Sequence, residues 1–496
     1  WSSDVCSSDL ITFYIILLAI FVVFSSCTDR PGNNLTDAGK SPVISPDYTN
    51  LTIPVNIAPM NFQVQEKGEA FQVIVAVNED EKLKVSSNDG IITFPGRKWK
   101  KLLKEAVGKE IVFQVFAKEN GQWKKYQPII NRVSELSVPP FLLYRQLFPG
   151  YESWKEMSIM QRNLESFEEK PVIQNSVAEE NCVNCHAVNS QNPSDFMFHV
   201  RGSLGGTFFV KDGDLQKFNL KTSEMENGAT YPRWHPSGKF VAFSSNKVVQ
   251  QFHSAENKKI EVSDLASSLL LYNVNDNRIK QVVFENGNQF MDTYPEWSPD
   301  GKYLYFCRAP QIEKNYEYSD IRYNIYRVTF NENNQTFGDE ELVFDAAANG
   351  KSASFPRISP DGKQLVFTLH DYGCFPIWHK EADLQSINLS DFSVQPMKVN
   401  SNFTESYHSW SANGRWLVFS SKRDDGRSAR PYIAYVDESG VAQKPFILPQ
   451  KDPQFYSRFL KTYNIPEFSE SDFAFNPGTL RKALREKAKQ ASWKNQ

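Results

Sequence analysis

The chain is 496 residues long, 40% hydrophobic and 14% aromatic, with a formal net charge of -3. The near balance of 55 Lys and Arg against 58 Asp and Glu excludes nucleic acid as the expected partner. The length allows two or three domains, and the abundance of Phe and Tyr favours pleated structure.

Near the start, the uncharged run Ile11 to Phe24 is too short for the ~20 residues of a membrane span and fits a signal-peptide core. Phe24-Ser25-Ser26-Cys27 follows it and resembles a bacterial lipobox, with Phe where Leu is usual. That resemblance implies lipidation of Cys27 and a mature chain beginning there. Trp1 to Leu10 carries no Lys or Arg and does not read as a signal n-region, so it is set aside as foreign sequence together with Cys6.

Residues 28–50 are rich in Pro, Asn, Ser, Asp and Gly and read as a flexible tether after the 1–27 leader. Residues 51–135 read as a small β-sandwich-like domain. Its short strands are Asn61–Val64, Ala70–Val77, Gly90–Phe94 and Glu110–Phe116, broken by turn signals such as Asn120-Gly121. One short amphipathic helix, Lys98–Ala106, interrupts them.

Residues 136–200 read as a helical linker, because Trp154, Met157, Ile159, Met160 and Leu164 recur at roughly helical spacing. Tyr151, Trp154 and the methionines are alternatively a wall for a flat cofactor. The linker ends in Cys182-Val183-Asn184-Cys185-His186, the attachment pattern of a c-type haem. Two thiols a short span apart can each bond a porphyrin vinyl group, and the adjacent imidazole then meets the iron. A zinc site, a redox-active thiol pair and a structural disulfide between Cys182 and Cys185 are the alternatives. Met197 and His199 share a face if Phe196–Gly202 is a strand. Either is a candidate second iron ligand, His199 slightly favoured, with an open site as the third possibility. Arg201 is a candidate partner for a haem propionate.

Four repeated segments dominate the remainder of the chain. They are Tyr231-Pro-Arg-Trp234-His-Pro-Ser-Gly238-Lys, Tyr294-Pro-Glu-Trp297-Ser-Pro-Asp-Gly301-Lys, Phe355-Pro-Arg-Ile358-Ser-Pro-Asp-Gly362-Lys and Tyr407-His-Ser-Trp410-Ser-Ala-Asn-Gly414-Arg. Each encodes strand, tight turn, strand: Pro presets φ and Gly accepts φ > 0. Their spacing exceeds the ~40–50 residues of an ordinary four-stranded blade, so each blade carries an insertion.

The repeat resembles that of TolB-type β-propellers over residues 201–450. The whole order resembles envelope lipoproteins with such a propeller behind a haem motif. The expected fold is mainly β: sandwich-like domain, haem-motif linker, five- or six-bladed propeller, and a tail over 451–496 ending in a basic helical cap. The propeller histidines His253, His370, His379 and His408 read as strand or rim residues. Cys307 and Cys374 read as a possible but disfavoured pair. No Gly-x-Ser-x-Gly elbow of a hydrolase is present.

The functional expectation is an envelope lipoprotein on the periplasmic side, touching the membrane only through its lipid. It carries one haem c and transfers electrons to redox protein partners, or binds such partners in a redox-linked way. A protein-interaction propeller without redox role is the alternative, and a haem enzyme with an open iron position is a third reading.

Overall fold

The structure, a computed structural model, describes residue 31 and residues 35–494 apart from 151–155, 212, 254–257, 259, 286–288, 313–315 and 474. Cys6, the apolar run, the lipobox Cys27, Tyr151 and Trp154 therefore lie outside the described residues. Among the described residues no helix is long and apolar enough to cross a membrane.

The N-terminal domain begins earlier than its composition indicates. Leu35–Asp37 adds in parallel to the edge strand Gln122–Lys125 of a seven-stranded sheet, and Ile44 and Tyr48 are buried, so the tether ends before residue 35. A three-stranded sheet and the helix Gly96–Glu105 complete the domain. The helix turns Trp99, Leu102 and Leu103 inward, where Trp99 stacks on Phe94. Its core runs without a break into the propeller, joining Tyr48, Trp99 and Phe113 to Trp416, Phe446 and Tyr463. Polar contacts fix the junction: Tyr48 Oη donates to the Ile447 carbonyl, and Asn61 Nδ2 to those of Gln450 and Lys451.

Six further sheets follow, four of four strands and two of five. Their inner strands are Thr462–Ser469, Val183–Asn189, Ala229–Trp234, Phe290–Trp297, Ser352–Ile358 and Glu405–Trp410, here blades 1 to 6. Each inner strand packs on the next, and that of blade 6 packs on that of blade 1, closing the ring. The blade count is thus six, and the circle shuts when Thr462–Ser469 pairs antiparallel with Phe141–Leu147. Closure of this kind hides the sheet edges.

The repeated residues have local physical jobs. One residue in every inner strand takes a left-handed φ near +50°: Cys185, Tyr231, Tyr294, Phe355, Tyr407 and Ile465. The next residue is Pro at 232, 295, 356 and 466, and His at 186 and 408. A proline has no N–H to give the ladder, so pairing breaks there into a bulge. In the turns, Ser298 Oγ lies 2.7 Å from Asp300 Oδ1 and Gly301 N donates to the Ser298 carbonyl. The tryptophans stitch blades together: Trp234, Trp297 and Trp410 donate Nε1–H to the carbonyls of Ala187, Arg233 and Arg357, each in the preceding blade.

Two expected segments change identity. The linker over 136–200 is strand: Phe141–Leu147, Met157–Asn163 and Glu169–Gln174 complete blade 1, and Val183–Asn189 with Asn192–Val200 opens blade 2. Met157–Asn163 is covered on both faces, which erases the two-residue alternation and leaves an apolar run that mimics a helix. The tail is also built in. Helix Pro477–Arg485 buries Leu480, Ala483 and Leu484, and Lys489–Gln490 and Ser492–Trp493 add in parallel to the outer strands of blades 2 and 3.

Ring closure sets the response to truncation. A chain ended after Leu460 lacks the inner strand of blade 1 and loses its cooperative melt, whereas one ended after Glu470 melts cooperatively at lower temperature. The leucines it loses are worth ~1.5–3 kcal/mol each, and thermal unfolding monitored by circular dichroism distinguishes the two. The turn glycines differ in a second measurable way. Gly301 and Gly362 share φ values of 71° and 72°, but a Cβ at 301 meets the His235 ring while nothing lies within 4 Å at 362. His235 is held by Ser237 and by the Gly301 carbonyl. Gly301→Ala therefore costs about 1 kcal/mol or more beyond Gly362→Ala in denaturant melts.

Candidate functional site

The axis of the propeller is layered by the register of the six inner strands. At the bulge level stand Cys185, Tyr231, Tyr294, Phe355, Tyr407 and Ile465. The rings of Tyr231 and Tyr294 lie 4.7 Å apart, Tyr294 and Phe355 4.0 Å, and Phe355 and Tyr407 5.0 Å. This aromatic arc spans blades 3 to 6, and Cys185 and Ile465 close the circle with smaller groups. Phe375 covers it from blade 5, 6.3 Å from the Tyr231 ring and 6.4 Å from that of Tyr294.

Two residues further along come Glu467, Ala187, Arg233, Glu296, Arg357 and Ser409. Four of them form an alternating chain of charge: Glu467 to Arg233 at 2.6 Å, Arg233 to Glu296 at 3.0 Å, and Glu296 to Arg357 at 3.2 Å. Two positive and two negative groups cancel, which is what makes so buried a set tolerable. Burial and the neighbouring Arg233 push the Arg357 guanidinium down to about 10, while Glu296 and Glu467 oppose them. A cavity of about 320 Å³ opens beside this layer, lined from every blade, with Gln191, Trp234, Trp297 and Trp410 among its walls.

The Cys-x-x-Cys-His segment enters this axis as the inner strand of blade 2. Cys185 occupies the bulge position, 7% exposed, and Cys182 is half-buried just before the strand. Both thiols are free, as are the buried Cys307 and Cys374. Burial raises the Cys182 thiol above its ordinary range, opposed by the nearby Arg145 and Arg201. His186 has a fully buried side chain, and burial lowers it to about 4 against the pull of Glu467, so the imidazole is neutral at pH 7. Glu467 Oε2 stands 3.9 Å from its Nε2. The Ile465 backbone lies alongside the ring, yet neither ring nitrogen makes a hydrogen bond of acceptable geometry.

His186 is one of several such groups. Asn184 Oδ1, both nitrogens of His186, Arg145 Nε, Asn464 Oδ1 and Glu467 Oε2 are buried without a hydrogen-bond partner. They come from the inner strands of blades 1 and 2 and from Arg145, which pairs with Asn464 in register. Buried polar atoms are satisfied as a rule, yet partnerless ones also stand on other blades, among them Arg357 Nε, Ser406 Oγ and His408 Nδ1.

Met197 and His199 lie on the other face of the blade 2 sheet from His186, although His199 Nε2 is likewise buried without a hydrogen-bond partner. Phe196 and Phe198 face blade 1, packed with Leu143, Ile159 and Val172, whereas Met197 faces blade 3, packed with Trp234 and Phe243. His199 follows Met197 in the strand alternation: its ring lies 5.9 Å from Phe243, and its Nδ1 is 2.9 Å from Thr207 Oγ1. The His186 ring is 6.5 Å from Phe196, on the blade 1 side. The sheet of blade 2 thus separates His186 from both expected second ligands. Arg145, Glu467, Tyr231 and Tyr407 are the residues that sequence reasoning missed; only their place at the head of a repeated segment carried a signal for the last two.

The remaining candidates fall elsewhere. His408 Nε2 lies 2.8 Å from the Val366 carbonyl, and the His370 and His379 rings are 4.9 Å apart on blade 5. Among the described residues no group of three or more His, Cys, Asp or Glu is placed to hold a metal ion, which leaves the zinc reading without ligands. Around the thiol pair the strands run antiparallel rather than in a βαβ unit, so a thioredoxin-type motif lacks its setting.

No family model matches the chain, and no curated protein matches it in sequence. Among solved structures it is similar to the β-propeller domain of Cps50 (Swd1) from Myceliophteria thermophila, at 10% identity over 76% of this chain and 98% of that one, with a TM-score of 0.34. A puromycin hydrolase mutant matches at 10% identity over 69% of this chain and 45% of that one, with a TM-score of 0.35. Prolyl oligopeptidase B from Galerina marginata matches at 11% identity over 67% and 42%, also with a TM-score of 0.35. This chain spans less than half the length of the two peptidases. The β-propeller assignment rests on the ring of six sheets in this chain itself.

Proposed function

We propose that this chain is a β-propeller that carries one covalent haem c beside its axis and exchanges electrons with protein partners in the cell envelope, tethered there by lipid on Cys27. The observation that carries the reading is the motif Cys182-Val183-Asn184-Cys185-His186, whose imidazole is buried with neither nitrogen hydrogen-bonded. The donor chemistry suits the group: two thiols for its vinyl edges, a neutral imidazole for the iron, and two guanidinium groups near Cys182 for its propionates. When bound, a haem supplies a one-electron couple. The buried surroundings of His186 would keep that couple from water, and nearby charges tune its potential there. Arg145 lies in range of both Cys182 and His186, Arg201 of Cys182 and Arg233 of His186, and the carboxylate of Glu467 opposes them.

Expression with haem-attachment machinery tests this. The expected product has a haem c absorption spectrum, one haem per chain, and pigment that stays with the protein in acid acetone. Cys182→Ala or Cys185→Ala reduces attachment to one thioether, and the double variant abolishes it. Pigment that extracts freely from the unaltered protein sinks the proposal and leaves a partner-binding propeller. In the holoprotein, Arg145→Gln removes a positive charge that disfavours the oxidised, more positive iron. The potential should therefore fall, on the order of 50 mV for one charge at partly screened distance, measured by redox titration.

A further inference from the structure

The charged layer of the inner strands runs most of the way round the axis and stops short of closing. We propose that the cavity beside it binds a small zwitterion, an α-amino acid with an apolar side chain, whose carboxylate meets the guanidinium of Arg357 and whose ammonium meets the carboxylate of Glu467. Propeller residues alone form this site, so it goes beyond the haem reading and stands or falls separately from it.

The first supporting observation is the break in the charge. Ion pairs run from Glu467 of blade 1 to Arg233, Glu296 and Arg357 of blades 3, 4 and 5. At blade 2 the residue of this level is the small Ala187, and Glu467 reaches past it to Arg233 at 2.6 Å. At blade 6 it is Ser409, and among the described residues no ion pair joins Arg357 back to Glu467 across it. Each end of the chain keeps an unused group. Arg357 Nε, a donor, and Glu467 Oε2, an acceptor, are buried without a hydrogen-bond partner. His186 Nε2 stands 3.9 Å from that oxygen, too far for a hydrogen bond. Burial and the neighbouring Arg233 hold the Arg357 guanidinium below its ordinary range, the direction expected of a cation short of counter-charge.

The cavity supplies the second observation. Its volume of about 320 Å³ lies at the low end of the ~300–1,000 Å³ of small-molecule sites, and Arg357, Glu467 and Ser409 all line it. The third is the rest of its wall. Trp234, Trp297 and Trp410 line the same cavity, and each has already donated its indole N–H to the preceding blade. What these rings offer a ligand is therefore carbon surface, which favours an apolar side chain.

Charge selects the class of ligand. The two arginines and two glutamates already cancel, so a lone anion at Arg357 or a lone cation at Glu467 would leave an unbalanced charge in a buried set. A zwitterion serves both ends and leaves the sum at zero.

The test is calorimetric titration of the full-length protein with L-leucine and with L-phenylalanine. At least one of them is expected to bind, one molecule per chain. The N-acetyl derivative of the amino acid that binds lacks the ammonium, and its amide lacks the carboxylate. Each should bind about tenfold or more weakly, as for one lost charged hydrogen bond. Arg357→Gln should weaken binding by a similar factor. Because that change also takes a partner from Glu296, Ser409→Leu provides a second variant: it fills the gap without removing a charge, and should abolish binding while the protein keeps its cooperative melt. Failure of both amino acids to bind the folded protein would overturn the inference. So would derivatives that bind as tightly as the parent, or undiminished binding to the Ser409→Leu protein.

Discussion

The antiparallel pairing of Thr462–Ser469 with Phe141–Leu147 closes the ring, and the rest of the molecule depends on it. A strand from near the C-terminus becomes the inner strand of the first blade, so no blade is left with a bare edge at the axis. The same strand supplies Ile465 to the bulge-level ring and Glu467 to the charged layer below it. Without it Arg233 would lose a partner at 2.6 Å in a setting where an unpaired charge is strongly destabilising. Long-range pairing of this kind requires loop closure over most of the chain before it contributes anything, so closing the ring is expected to come late in folding.

Around that closure the repeat works as a layered device. The bulge residue of each inner strand projects its side chain at one level, and the residue two further on projects at the next. Four blades use this to stack aromatic rings, and four positions use the second level to alternate Arg and Glu. Blade 2 uses the same geometry differently: a thiol stands where blades 3 to 6 have rings, and an imidazole where four of the six have proline. The propeller thereby brings a reactive motif to an axis that is otherwise filled and electrically neutral.

Much of this was legible beforehand, and what was not has identifiable causes. Tyr-Pro-x-Trp-Ser-Pro-Asp-Gly names its own turn and its own bulge, so blades 3 to 6 could be read from local residues. Of blade 2 the outer strands, Gly206–Lys211 and Asp214–Asn219, could be read as well, but its inner strand could not, because Cys185-His186-Ala187-Val188-Asn189 keeps the backbone of the repeat while replacing nearly all its side chains. Blade 1 hid for another reason: its strands Phe141–Leu147 and Met157–Asn163 are covered on both faces and show no alternation. The segment Leu35–Asp37 is exposed and polar enough to read as tether, and only its place on the edge of a sheet makes it a strand.

The order of residues alone determined the mainly β class, the repeated turns and the thiol–thiol–imidazole motif, because each is written in neighbours a few positions apart. Tertiary structure decided which side chains meet that motif. Whether His199 can meet His186 depends on which face of one sheet each occupies. Whether Glu467 stands beside His186 depends on a strand from the far end of the chain. Local sequence sets backbone conformation through sterics and hydrogen bonding over short spans. The partners of a buried group are chosen by how distant strands register and pack.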